Sequence, residues 1–352
     1  MLEMKVIHIE SGLGNQMLSY CEFLAIRKTN PYDSCYIENI IYEIPLCNDY
    51  ICQWNGYELD QIFGIDVPNI KDIFTNEQWM NISKMIVESA FWQKDWNWPV
   101  YFARAFQEEG LVLKNIRGDF EDEKREWSIS RKGNIPLSFK LKQTGTYANF
   151  RRIYREHRFK EYLSSDVDKL FYNGEESVLT GQRLTFKNRN NNIEKIDTEI
   201  RRSFIFPVIT DAKNKNCAEK ISTCQSIAIH ARRGDMLSVN GKYYRSGYFK
   251  RAVRYIKKNI ENPCFFFFCD PGSIEWCKQN ERIFGLNFQK DNVYFVDWNS
   301  GKGSYRDMQL MSLCKHNIIT NSSFGWWGAY LNTNLNKITI SPEIEINTTH
   351  HF

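Results

Sequence analysis

From Ser226 onward the chain alternates short apolar runs with amphipathic ones. The runs Ile227–His230, Phe265–Phe268, Val293–Val296, Asn317–Thr320 and Ile338–Ile340 are too short for helices and mostly lack polar alternation. They predict strands buried on both faces. Between them, Tyr248–Asn259, Ile274–Phe284, Tyr305–Cys314 and Phe324–Leu331 repeat apolar residues at helical spacing. This rhythm predicts a doubly wound parallel sheet, whose ligands bind beyond the carboxyl ends of its strands.

The N-terminus repeats the pattern once. Val6-Ile7-His8-Ile9 predicts a buried strand and Gly12-Leu13-Gly14-Asn15-Gln16 a glycine turn. Met17, Leu18, Cys21, Leu24 and Ala25 predict a helix ending near Asn30-Pro31. Such a turn lets a backbone approach a ligand, and the helix start offers N–H groups to an anion. Only two of the three glycines of a dinucleotide fingerprint are present, so a plain tight turn fits equally well.

Between Tyr42 and Lys220 the pattern is harder to read and shows no repeat. The aromatic stretch Phe91–Trp98 suits core packing better than sugar stacking. Arg151-Arg152-Ile153-Tyr154-Arg155-Glu156-His157-Arg158 interleaves basic and aromatic residues, as a nucleic-acid or anionic membrane surface would. Phe150, Ile153, Tyr154 and His157 nevertheless fall on one helical stripe, which predicts a buried apolar face with the arginines in solvent. Asp166 and Asp168 follow Ser164 and Ser165 at an apparent helix start, where capping explains them better than a metal–nucleotide complex.

With 352 residues, 42% of them hydrophobic, the chain can build two cores, divided as 1–220 and 221–352. The net charge of +4 arises from interspersed charges of both signs, which argues against a dedicated nucleic-acid binder and suits small anions. There is no leader-like n- and h-region and no span long enough for a bilayer, so a cytoplasmic protein is expected. Ten cysteines at irregular spacings and six scattered histidines indicate neither a disulfide framework nor a metal site.

The sharpest chemical feature is the end of the run Ile227-Ala228-Ile229, where the chain switches to His230-Ala231-Arg232-Arg233-Gly234-Asp235. Two guanidiniums, an imidazole and a carboxylate at the end of a buried strand are costly unless something charged binds there, and a phosphate or diphosphate is the natural guest. Cys269-Asp270, Asp297-Trp298-Asn299 and Asn321-Ser322-Ser323-Phe324 follow the other strands and are expected at the same cleft. Ser322 and Ser323 can cap the next helix, and that helix N-terminus can seat a diphosphate opposite the arginines. A nucleotide-dependent oxidoreductase would need the third glycine and an acidic ribose ligand. A non-catalytic carbohydrate-binding protein would explain the tryptophans but not the arginines.

Together, Gly-Leu-Gly-Asn-Gln-Met at 12–17, His-Ala-Arg-Arg-Gly-Asp at 230–235 and the stretch 304–331 containing Asn-Ser-Ser-Phe-Gly-Trp-Trp-Gly resemble the bacterial α-1,2-fucosyltransferases of glycosyltransferase family 11. The resemblance implies an α/β, GT-B-like fold of two Rossmann-like domains facing each other across a cleft. It also implies inverting, metal-independent transfer of L-fucose from GDP-β-L-fucose to the 2-hydroxyl of a galactose-terminated acceptor. No metal or other cofactor and no nucleic acid are then expected, and peripheral attachment to the inner face of a membrane is compatible with it.

Within that picture Arg232 holds the β-phosphate, while Arg233 points the other way and braces the loop, because neighbours on extended backbone face opposite sides. His230 lines the nucleoside and Asp307 reads the guanine edge, with Asp270 a second candidate for guanine or ribose. Ser322, Ser323 and Phe324 complete the donor site, together with Gly12, Gly14, Asn15 and Gln16. Asp235 fits the catalytic base and a brace for the arginines equally well, with His8 and Glu10 in reserve. Met236 and Gly325 depart from the family pattern, which has an aromatic residue and a serine there.

Overall fold

The computed structural model describes residues 4–29, 31–32, 34–46, 54–91, 98–111, 116–117, 137–164, 179–180, 193–343 and 348–352. Asp166, Asp168, Trp92 and Trp96 lie outside them. The chain forms two compact units, Met1–Asn134 with Asp166–Thr185 and Arg189–Pro207, and Ile135–Ser165 with Phe186–Asn188 and Val208–Phe352. The division therefore falls at 207/208 rather than 220/221, and a segment from the middle of the chain joins the C-terminal unit.

In the first unit, β1 (Met4–His8), β2 (Ser34–Glu38), β3 (Ile116–Arg117) and β4 (Leu179–Thr180) form a parallel sheet in the order β2-β1-β4-β3. Helix α1 (Leu13–Thr29) starts earlier than the sequence predicts, because Gly12 O accepts from Asn15 N and Gln16 N at 2.9 and 3.2 Å. Asn15 and Gln16 thus belong to the first helical turn. Helices α2 (Asn76–Ser89) and α3 (Trp98–Glu108) bury Trp79, Ile82, Phe102 and Phe106 against Val6, Ile40 and Phe91. Thr75 and Gln78 start α2 with a reciprocal capping box.

In the second unit β5 (Gln225–Ala231), β6 (Pro263–Cys269), β7 (Asn292–Val296), β8 (His316–Ile318), β9 (Thr339–Ser341) and β10 (His350–His351) are all parallel, in the order β10-β9-β8-β5-β6-β7. Phe265–Phe268 on β6 are at most 1% exposed, and burying each contributes about 2 kcal/mol. Among the helices of this unit are α4 (Gly145–Ser164), α5 (Ala212–Thr223), α6 (Leu237–Arg245), α7 (Tyr248–Asn259), α8 (Ile274–Gln279), α9 (Tyr305–Leu313) and α10 (Ser323–Leu331). The Tyr248 hydroxyl lies 2.6 Å from Ile319 O and 2.9 Å from Ile340 O, tying α7 to the ends of β8 and β9.

Helix α4 is turned over relative to its amphipathic pattern. Phe150, Ile153 and Tyr154 are 68%, 50% and 56% exposed, whereas Arg152 is half-buried and lines a recess with Lys242, Tyr243 and Arg251. The side chain of His157 lies outside the described residues. Spacing finds a stripe but does not say which side of the helix the unit covers.

Candidate active site

The second sheet places its ligand end by topology. From β5 the chain winds through β6 to β7 on one side, then crosses to β8, β9 and β10 on the other, so the switch point lies between β5 and β8. His230–Asp235 follow or end β5, and Thr320–Ser323 lead from β8 into α10 at the same point. Thr320 joins the two strand ends, its hydroxyl donating to His230 O at 3.2 Å and accepting from Arg232 N at 3.3 Å.

His230 is 4% exposed, and burial together with the Arg232 charge pushes its pKa down to about 3, so the imidazole is neutral. Its Nδ1 is buried without a hydrogen-bond partner. The ring stacks obliquely on Phe324, with centroids 5.9 Å apart. A Cβ at position 325 would overlap it, which accounts for glycine where the family pattern has serine. Ser322 is the N-cap of α10 in extended conformation, but its side chain makes no capping bond. The expected cap is therefore absent and the hydroxyl is uncommitted to the helix.

The paired arginines diverge. Arg232 Nη2 meets Asp235 Oδ1 at 2.8 Å, while its carbonyl accepts from Asn240 Nδ2 and Tyr244 OH, both at 3.1 Å. Arg233 turns the other way, its guanidinium 3.3 Å from the centroid of Trp276 and 5.2 Å from that of Tyr244. Asp270 is spent on the loop: Oδ1 accepts from Arg233 N and Oδ2 from Ser273 Oγ, both at 2.6 Å. Oδ2 would also stand 2.7 Å from a Cβ at Gly234. Asp270 thus shapes the loop that presents Arg232.

Asp307, on the first turn of α9, is 9% exposed, and burial pushes its carboxyl up to about 7 against the opposing hydrogen bond from Asn299 Nδ2 at 2.7 Å. Asn299 and Trp298 Nε1 both donate to Asn214 Oδ1, at 3.0 and 2.9 Å, and Asp211 fixes Asn214 through its amide. This network is only half legible in the sequence. Trp298 and Asn299 follow a recognisable strand, but nothing in sequence ties Asn214 to them, and nothing marks Asn240, Tyr244 or Trp276 as supports of the arginines.

The glycine turn lies in the first unit and has other work. Gln16 is fully buried. Its Nε2 donates to Ser11 O and Gly56 O at 2.9 and 2.8 Å, and its Oε1 accepts from Glu58 N at 2.9 Å. The Glu58 carboxylate accepts from the Leu13 amide, so it already occupies the start of α1. A Cβ at Gly12 would stand 2.7 Å from Trp54 Cδ1. Gly12 is thus explained by a side chain packed on it, and Gln16 by the loops it joins, rather than by a phosphate. Gly14 is buried within α1, and Asn15 is half-buried beside it.

Below this turn, His8 Nδ1 donates to Glu38 Oε2 at 2.5 Å and Nε2 to Glu10 Oε2 at 3.4 Å, all three nearly inaccessible. Burial alone would lower the imidazole's pKa, but Glu38 and then Glu10 push it up to about 9, leaving an imidazolium between two carboxylates. Among the described residues no cluster of three or more His, Cys, Asp or Glu side chains could hold a metal ion, and the eight described cysteines are free thiols. No helix of the described residues is long and apolar enough to cross a membrane.

Several known proteins are similar to this chain. The pattern of glycosyl transferase family 11 matches residues 130–349, more than half of the chain. An alpha-1,2-colitosyltransferase of Escherichia coli is 36% identical over 148 residues, 40% of this chain and 48% of that protein. A galactoside alpha-(1,2)-fucosyltransferase 1 of Lagothrix lagotricha is 30% identical over 110 residues, 30% of this chain and 28% of that protein. The chain thus spans about half or less of the length of these relatives. The crystal structure of the fucosyltransferase NodZ from Bradyrhizobium superposes with a TM-score of 0.42 at 12% identity, over 94% of this chain and 92% of that one.

Proposed function

Because the chain belongs to glycosyl transferase family 11, we propose that it transfers L-fucose from GDP-β-L-fucose to the 2-hydroxyl of a galactoside, with inversion and without a metal ion. One observation carries the donor half of this reading. At the β5–β8 switch point a guanidinium fork, a neutral buried imidazole with an unpartnered Nδ1 and the N-terminus of α10 come together. Each of these groups complements a nucleoside diphosphate.

The bond from the anomeric carbon to the diphosphate oxygen breaks ahead of nucleophilic attack, so negative charge grows on the departing GDP while the sugar becomes cationic. Arg232 neutralises that growing charge, the task a divalent cation performs in other transferases. The acceptor oxygen attacks the opposite face, turning a β-linked donor into an α-linked product. Asp235 orients Arg232 through Oδ1, and its half-exposed carboxylate takes the acceptor's proton on the second oxygen. Asp307 accepts from the guanine N–H groups as a carboxylate. The exposed Phe150, Ile153 and Tyr154 of α4 support a station on the inner face of an anionic membrane.

The test incubates the protein with GDP-fucose, EDTA and a panel of β-galactosides, and locates the new linkage. An α-1,2 product is expected; GDP binding without transfer to any galactoside would overturn the linkage and spare the donor site. GDP-colitose belongs in the same panel, since a relative is a colitosyltransferase.

A further inference from the structure

We infer that the first unit carries a pyranose-binding subsite whose floor is the indole of Trp54, seated over Gly12 at the carboxyl end of β1; this rests on the galactoside-transfer reading. In the order β2-β1-β4-β3 the chain leaves β1 for β2 and later returns on the other side, so the end of β1 is the switch point of this sheet. The loop from Ile9 to Gly12 emerges there.

Two residues at this point hold left-handed backbone without being glycine, Ser11 at φ 65° and Trp54 at φ 52°. Their loops are held by one buried amide. Gln16 binds the Ser11 carbonyl on one side and Gly56 and Glu58 on the other, and the Tyr42 hydroxyl donates to Ser11 O at 2.6 Å. The result presses the pyrrole edge of Trp54 onto Gly12: Cδ1, Cγ and Nε1 lie 2.7 to 3.2 Å from where a Cβ would be.

Trp54 is nevertheless 44% exposed, whereas Trp79, Trp326 and Trp327 are at most 6% exposed. Trp54 is therefore a fixed platform rather than a core residue. Such a rigid aromatic face buries an apolar ligand surface at little cost in side-chain entropy. The ionisable groups of this strand end select against anions. His8 is matched by Glu10 and Glu38, and Glu58 closes the start of α1. A diphosphate would be repelled; a neutral ring would not. A β-galactoside presents the C–H bonds of carbons 3, 4 and 5 on one face, because its 4-hydroxyl is axial, and that face matches the indole.

The experiment is saturation-transfer NMR of methyl β-D-galactopyranoside on the full chain, with GDP titrated in parallel. Strongest transfer is expected to protons 3, 4 and 5. Trp54→Ala should weaken galactoside binding about tenfold and Trp54→Phe much less. Gly12→Ala, which displaces the ring without removing it, should act in the direction of Trp54→Ala. GDP affinity should stay unchanged in all three. Undiminished galactoside binding in Trp54→Ala, or no binding to the wild type, overturns the subsite. Trp54-dependent binding without fucose transfer upholds the subsite and overturns the transfer reading, so the two failures are distinguishable.

Discussion

Gly325 and His230 share one space: the imidazole lies where any side chain at 325 would have to be. Gly325→Ser should therefore tilt the ring off α10 and expose Nδ1 to a different partner. GDP affinity is expected to fall about tenfold, and displacing the buried ring to cost about 1–3 kcal/mol of stability. Calorimetric titration of GDP against the variant measures this, and wild-type affinity would remove His230 from the donor site.

The divergence of the arginines separates rate from stability. Arg232→Ala should lower kcat about 10²- to 10³-fold while the protein stays folded. Arg233→Ala should instead lose its stacking on Trp276 and Tyr244, costing about 1 kcal/mol in urea unfolding with a smaller effect on turnover. Equal kinetic losses in both variants would contradict the assignment.

Asp235 has two tasks in this scheme, and the pH profile distinguishes them. Asp235→Asn keeps an oxygen for Arg232 but cannot take a proton. Loss of the acidic limb of the kcat profile is expected, together with a rate loss of about 10²-fold. A uniform fall with the limb intact would leave only the orienting task.

Asp307 links pH to both binding and stability. Its folded pKa of about 7 lies above the ordinary 3.8, so the protonated form favours folding. That contribution is full below about 3.8 and is lost as pH rises through about 7. Guanine recognition needs the carboxylate and runs the other way, strengthening as pH rises through about 7. Urea midpoints and GDP titrations between about pH 5 and 8 should thus move in opposite directions, and Asp307→Asn should flatten both. His8, raised from 6.5 to about 9, adds stability that is full below 6.5 and lost through about 9, so His8→Gln is the control for the alkaline end.

The exposed stripe of α4 predicts sedimentation with anionic vesicles. Phosphatidylglycerol vesicles should carry the protein down and phosphatidylcholine vesicles should not, and Ile153→Ser with Tyr154→Ser should release it. Self-association that disappears in the double variant would mean that a second copy covers the stripe instead.

The parallel sheet of the second unit can be read almost strand by strand, because a strand buried on both faces leaves an uninterrupted apolar run such as Phe265–Phe268. Only β10, two residues long, carries no such signal. The polar strand end is also legible, since His230, Arg232 and Arg233 stand directly after a buried apolar run. What escapes is contact between distant segments. Gly12 carries the same letter whether a phosphate or an indole lies on it, and only the fold brings Trp54 there. The stripe on α4 escapes for a related reason: periodicity defines a face, and packing decides whether that face is covered.

Asp270 ties the identities of positions 234 and 270 to each other. Its carboxylate holds one backbone amide and fills the room of one missing side chain, so a larger residue at 234 must await a smaller one at 270, which in turn releases the loop. A library that randomises either position alone should return the parental residue, and only joint randomisation can open a route to a differently shaped donor loop.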